Sequence, residues 1–108
     1  MISIVMPTYN RFDIVQETIQ KVLDVVTTVE FELIVVNDGA ELPFAIHHPK
    51  LRIFKNPHKG VTYARNFGAS QAVYSLLFFI DDDMWITENA ILGIKEAYDR
   101  GVLNKSCL

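Results

Sequence analysis

The chain has 108 residues, half of them hydrophobic, with ten Lys and Arg against thirteen Asp and Glu and a net charge of −3. That length fits one small domain with one core, and the hydrophobic share excludes a chain that stays disordered. The basic residues are scattered along a net acidic chain, which argues against nucleic acid as a partner.

Cys107 is the single cysteine. It excludes an internal disulfide and a thiolate metal cluster, and a reducing, cytoplasmic setting is the expectation. No apolar run reaches the roughly 18 residues that a membrane span needs. The start, Met1 to Val5, lacks the basic region of a signal peptide and reads as a strand.

In chain order, Ile2 to Met6 is predicted as the first strand, stopped by Pro7. Asn10 is predicted to cap a helix whose apolar positions Ile14, Val15, Ile19, Val22, Leu23 and Val26 recur near a 3.6-residue period. Phe31 to Val36 reads as a second strand, ending at the turn-forming Asn37-Asp38-Gly39. Beyond a loop containing Pro and His, Leu51 to Lys55 is a third, shorter strand. Asn56 to Gly60 breaks it and leads into a helix from about Val61 to Ala72.

Ser75 to Ile80 is the fourth strand, and its unbroken hydrophobicity predicts burial on both faces, as in a parallel sheet. Thr87 is predicted to cap a last helix reaching Arg100, with Glu88 in its first turn and Gly101 beyond its end. Strands alternating with helices predict an α/β fold with right-handed crossovers, a Rossmann-like three-layer sandwich around a mainly parallel sheet.

Ligands of open parallel sheets gather outside the carboxyl ends of the strands. Three polar clusters fall there: Pro7 to Arg11 after the first strand, Asn37 to Gly39 after the second, and Asp81 to Asp83 after the fourth. Their convergence on one rim is the main sign of a site.

Four runs carry a resemblance: "IVMPTYNR" (Ile4 to Arg11), "LIVVNDG" (Leu33 to Gly39), "GVTYARNFG" (Gly60 to Gly68) and the "LLFFIDDD" that ends at Asp83. Together, in this order, they resemble the nucleotide-binding half of a family 2 glycosyltransferase with the GT-A fold. The resemblance implies inverting transfer of a sugar from a nucleotide donor, most often UDP-linked, to a glycan, lipid-linked or other hydroxyl acceptor. It further implies that Pro7, Thr8 and Tyr9 line the base pocket and that Asp38 hydrogen-bonds the uracil edge. Arg65 would lie beside the base or the phosphates. Asp81 or Asp82 would meet the ribose, and Asp83 would ligate a divalent metal, Mn²⁺ or Mg²⁺, bridging the diphosphate.

Elementary chemistry agrees with that assignment. A departing nucleoside diphosphate accumulates negative charge, and a cation placed there stabilises it. Mg²⁺ and Mn²⁺ take hard oxygen ligands, commonly one or two carboxylates completed by phosphate and water. A carboxylate also accepts from the imide N–H of uracil, a donor that cytosine lacks.

Members of the family are longer than this chain, and their second half supplies the acceptor pocket and the general base. Residues 1–108 are therefore expected to be a donor-binding half without its acceptor half, with no catalytic base to name. A longer parent could sit peripherally at a membrane. Without that second half, self-association is expected through the strand edge at Ser75 to Ile80.

Plainer readings stand beside these. Asp81 to Asp83 could be a solvated loop capping a helix, Asp38 a turn residue, Tyr9 a partly buried aromatic and Arg65 an ion-pair partner. His47, His48 and His58 lack metal spacing and read as surface residues. Phe78 and Trp85 read as packing residues, with sugar contact by Trp85 left open. "FFIDDDMW" also fits the haloacid-dehalogenase phosphatase pattern, with Asp81 as nucleophile, although Trp85 stands where that family carries Thr or Val. A nucleotide-binding module without chemistry is the other alternative.

Overall fold

Every residue of β1 (Ile2–Thr8) and β2 (Phe31–Asn37) is buried, as mostly apolar strands are when both faces of a parallel sheet are covered. The computed structural model describes residues 2–25, 29–84 and 88–99. Two shorter strands, β3 (Leu51–Lys55) and β4 (Leu76–Phe79), complete the sheet. The order is β3-β2-β1-β4 and every neighbouring pair is parallel. Ile2 stands beside Phe31 on one side and Leu76 on the other, so β1 is central.

Alternation along the strands divides the core. Ile2, Ile4 and Met6 of β1 and Phe31, Leu33 and Val35 of β2 face α1 (Phe12–Leu23) and α3 (Glu88–Asp99). Val5, Ile34 and Val36 face α2 (Val61–Gln71) through Ala64 and Phe67. Helices cover both faces, which makes the expected three-layer α/β sandwich. No described helix is long and apolar enough to cross a membrane.

Three local expectations are corrected. Pro7 does not stop β1, which continues to Thr8 with Pro7 beside Val36. The Val5 carbonyl accepts from Ile80 and the Thr8 carbonyl from Asp38, so Pro7, two residues from Val5, turns its missing N–H toward β4. Pairing with β4 ends at Val5 beside Phe79, and no ladder bond is lost there. Asn10 is not the cap of α1. It takes a left-handed φ of 51°, Arg11 holds the cap position without a side-chain cap bond, and the apolar Ile14 is exposed.

β4 is not buried on both faces. Leu76 and Ile80 are buried, but Leu77, Phe78 and Phe79 are half-buried, because among the described residues β4 pairs only with β1. The positions of Val26, Trp85, Thr87, Arg100, Gly101 and Cys107 lie outside the described residues.

At the amino ends of the strands a buried polar network replaces apolar packing. The Ser3 hydroxyl donates to Glu32 at 2.7 Å, and Arg52 donates to Glu32 Oε1 through Nε at 3.2 Å and Nη2 at 2.9 Å. The Val73 N–H donates to Glu32 Oε2 at 2.8 Å, and Arg52 also meets the Gln71 carbonyl, which anchors the end of α2. Burial alone would raise the Glu32 pKa. The Val73 N–H, Ser3 and Arg52 outweigh it and hold the carboxyl below its ordinary value.

Candidate functional site

The opposite, carboxyl ends of β1, β2 and β4 build a cleft of about 340 Å³. Pro7, Thr8 and Tyr9 line it at the end of β1, Asp38 just after β2, and Asp81, Asp82 and Asp83 on the turn beyond β4. All of the expected site residues except Arg65 therefore meet in one cavity. Tyr9 stands at the mouth, 59% exposed.

The three consecutive aspartates have different surroundings. Asp82 is buried, with 5% exposure. Its Oδ2 accepts from the Thr8 hydroxyl at 2.9 Å, its Oδ1 lies 3.3 Å from Arg11 Nη1, and its carbonyl accepts from the Thr18 hydroxyl at 2.6 Å. Asp83 is half exposed, with Oδ2 3.4 Å from Arg11 Nη2. Asp81 is exposed, with Oδ1 3.8 Å from Arg65 Nη2. A turn from Asp81 to Met84, closed by a 3.1 Å backbone bond, presents Asp81 and Asp83 to solvent while Asp82 points inward.

Asp38 is held as firmly. Its N–H donates to the Thr8 carbonyl at 2.8 Å, which joins the ends of β1 and β2. Its carboxylate accepts from Asn56 Nδ2 at 2.8 Å and from the Gly60 N–H at 3.0 Å on Oδ2. Gly60 precedes α2 with a φ of 117°, a conformation open to glycine, and so aims its N–H at Asp38. Oδ2 keeps a lone pair for another donor.

The loop after Asp38 is tied down locally. Asn37 accepts from the Gly39 N–H at 3.0 Å and donates to the Ala40 carbonyl at 2.9 Å. Asn10 Oδ1 accepts from the Ala40 N–H at 2.7 Å, which is the role it takes in place of capping. A Cβ on Gly39 would fall 2.2 Å from that Oδ1, so only glycine permits the approach.

Arg65 lies beside Asp81, on its other side. It lines a neighbouring cleft of about 520 Å³ with Thr62, Asn66 and Met84, and Asp81 is the residue shared with the first cleft. His47 lines a third cavity beside β3, apart from both.

Sequence reasoning missed three residues at the site: Arg11, Val61 and Thr18. Arg11 and Val61 line the cleft, and Thr18 fixes the turn from α1. Thr18 had a signal, a hydroxyl inside the buried stripe formed by Val15, Ile19 and Val22. Arg11 had only its place at the end of the first polar cluster.

The donor set suits a hard cation shared with a ligand. Asp81 and Asp83 offer exposed carboxylate oxygens, while among the described residues no three His, Cys, Asp or Glu side chains group to hold an ion alone. Mg²⁺ and Mn²⁺ at phosphate sites need only one or two carboxylates, with substrate oxygens and water completing the shell. The residues present fit such an ion.

The family model described as Glycosyl transferase family 2 matches residues 3–103. The chain belongs to that family. It is 32% identical over 101 residues to an uncharacterized glycosyltransferase of Rickettsia felis, covering 87% of the chain and 17% of that protein. It is 26% identical over 111 residues to the uncharacterized glycosyltransferase EpsJ of Bacillus subtilis, covering 96% of the chain and 32% of that protein. The chain thus spans less than a third of the length of these curated relatives.

Among solved structures, S. aureus TarS superposes with a TM-score of 0.71 at 22% identity, covering 92% of the chain and 19% of TarS. TarS 1–349 in complex with UDP-GlcNAc gives 0.73 at 21% identity, covering 92% of the chain and 31% of that structure. These likenesses establish the α/β fold as that of GT-A glycosyltransferases. Membership of family 2 decides against the dehalogenase-like phosphatase.

Proposed function

We propose that residues 1–108 form the donor-binding half of a glycosyltransferase, taking a UDP-linked sugar with Mn²⁺ or Mg²⁺ for inverting transfer to an acceptor hydroxyl. The observation that carries this reading is one cleft lined by Asp38 and by Asp81 to Asp83, from strand ends 43 residues apart in sequence, together with Pro7 to Tyr9. The complex of TarS with UDP-GlcNAc, on the same fold, supports it.

Each residue then has a task. Asp38, locked by Asn56 and Gly60, accepts the uracil imide N–H on Oδ2. Tyr9, at the mouth, and Val61 give the base apolar surface to lie on. Asp82, fixed by Thr8 and Thr18, anchors the turn and turns Asp81 toward the ribose. Asp83 would hold the metal. When bound, that metal neutralises charge on the departing diphosphate. The acceptor approaches the anomeric carbon from the face opposite the diphosphate. We assign no general base among these residues.

The acceptor class is a glycan, a lipid-linked carrier or another hydroxyl, and the setting is cytoplasmic. The outer edge of β4 would also pair with a second copy of the chain.

A nucleotide panel tests the reading. UDP with Mn²⁺ should raise the melting temperature more than CDP with Mn²⁺, and UDP at a hundredfold excess over its Kd should stabilise by about 2.7 kcal/mol relative to the free protein. Equal shifts with every nucleotide would sink it. Specific UDP binding without turnover of any donor would instead support a module lacking chemistry.

A further inference from the structure

We infer that Arg11 is a built-in counter-cation of the aspartate turn, which keeps metal off Asp83 until a diphosphate arrives and then moves to the phosphates. The inference rests on the donor-site reading above and adds an order to it: metal and nucleotide bind together, each weakly without the other.

One guanidinium spans two carboxylates, with Nη1 3.3 Å from Asp82 and Nη2 3.4 Å from Asp83. The two contacts differ in kind. Asp82 is buried, and Thr8 and Thr18 hold it in place, so Arg11 has a fixed anchor there. Asp83 is half exposed on a turn, and the Arg11 side chain is 45% exposed in the cleft. The Asp83 contact is therefore the one that can open while the Asp82 contact persists.

The place of Arg11 in the fold is otherwise unfavourable. It occupies the cap position of α1, where the exposed backbone N–H groups and the helix dipole disfavour a cation, and it makes no side-chain cap bond. Asp13 in the first turn has the charge that suits this helix end, and the carboxylates across the cleft are what Arg11 meets. A residue that caps poorly but spans two site carboxylates is better explained by the site than by the helix.

Electrostatics then sets the order. A divalent ion held by Asp83 would compete with the guanidinium for the same carboxylate, which Nη2 meets at 3.4 Å, and like charges in one site repel. A diphosphate would remove the conflict, because its oxygens can accept from the guanidinium and also offer ligands to a metal held by Asp83. Arg11 is a positioning residue in this scheme, shifting one of its two nitrogens from Asp83 to phosphate. Coupling between two ligands of one site is commonly about 5- to 150-fold, and it is the same factor in both directions.

Mn²⁺ titration, followed by the EPR signal of the free ion with and without UDP, tests this on wild type, Arg11→Gln and Arg11→Lys. Arg11→Gln should bind Mn²⁺ alone about fivefold or more tighter than wild type, and UDP alone weaker by a comparable factor. Arg11→Lys, which keeps the charge, should restore weak binding of Mn²⁺ alone. Arg11→Gln that binds Mn²⁺ alone no better than wild type, with UDP–Mn²⁺ binding intact, overturns the inference and leaves the donor site standing. Wild type that responds to neither UDP nor UDP–Mn²⁺ removes the donor site and the inference together. If Arg11→Gln does not fold, Asp83→Asn carries the test. It frees Arg11, so UDP without metal should bind tighter than to wild type, and unchanged or weaker binding is the overturning result.

Discussion

The Thr8 hydroxyl donates to Asp82 Oδ2 at 2.9 Å, joining residues 74 apart in sequence where β1 and β4 end. Both residues are buried, so this bond fixes the aspartate turn to the sheet. Thr8→Val keeps the shape and removes the donor, leaving a carboxylate oxygen short of a partner. The expected cost is about 1–3 kcal/mol, each kcal/mol lowering the melting temperature by about 4–8 °C in a domain of this size. A melting temperature indistinguishable from wild type would show that the contact is not stabilising.

Asp38→Asn tests base recognition. The amide keeps one acceptor oxygen for the Gly60 N–H but loses the charge, and with it the preference for an imide N–H over the cytosine edge. The ratio of UDP to CDP affinity should fall toward one, with a smaller loss of stability than for Asp38→Ala. A ratio unchanged in Asp38→Asn would remove Asp38 from the base pocket.

Two helical glycines should respond with opposite signs. A Cβ on Gly68 would lie 2.4 Å from Val5 Cγ1 and 3.2 Å from Val36 Cγ2, because α2 rests directly on the sheet there. Overpacking of about 1–3 kcal/mol then exceeds the gain of about 1 kcal/mol in helix propensity. Gly68→Ala should destabilise. Among the described residues a Cβ on Gly93 of α3 meets nothing within 4 Å, so Gly93→Ala should stabilise by about 1 kcal/mol. Denaturant midpoints of both variants give the comparison, and matching signs would refute it.

The sheet and helices were legible because each burial pattern is a local property of sequence. Val5 and Ile34 announce a covered strand face, and Val15, Ile19 and Val22 announce a helix stripe. What was not legible depends on which strands are neighbours. Only the order β3-β2-β1-β4 puts Asp82 beside Thr8 and under Thr18, and no local pattern encodes that order. Asn10 was misread because the residue type that caps helices also accepts the left-handed conformation, and here its oxygen is taken by Ala40. Arg65 matched a motif, and α2 presents it beside Asp81, the wall that the two clefts share.

Glu32 gives a pH signature. Its pKa is lowered in the fold, so the charged form is favoured there. The stabilisation is complete above the unfolded value, about 4.3 for glutamate, and is lost as pH falls through the lowered folded value. Glu32→Gln should therefore be less stable than wild type at neutral pH, with the gap closing in acid. A gap of constant size from pH 7 to pH 3 would assign the effect to packing instead.

The edge of β4 predicts concentration-dependent association. Leu77 is half-buried and belongs to neither core cluster, so Leu77→Lys places a charge on the edge strand with little damage inside. Light scattering should show wild type growing in mass with concentration and Leu77→Lys remaining monomeric. A wild-type monomer across the micromolar range would mean that the edge is already covered.

The Ser3–Glu32–Arg52 network lies five residues along β1 from Thr8, about 16 Å at strand rise. Substitutions that far apart and without shared partners generally add. The molecule therefore has a structural end and a chemical end that can be rebuilt separately. A designer could strengthen the polar clamp under α2, or replace it with an apolar layer, while varying Tyr9, Val61 and Asp38 in the cleft proposed to take the base.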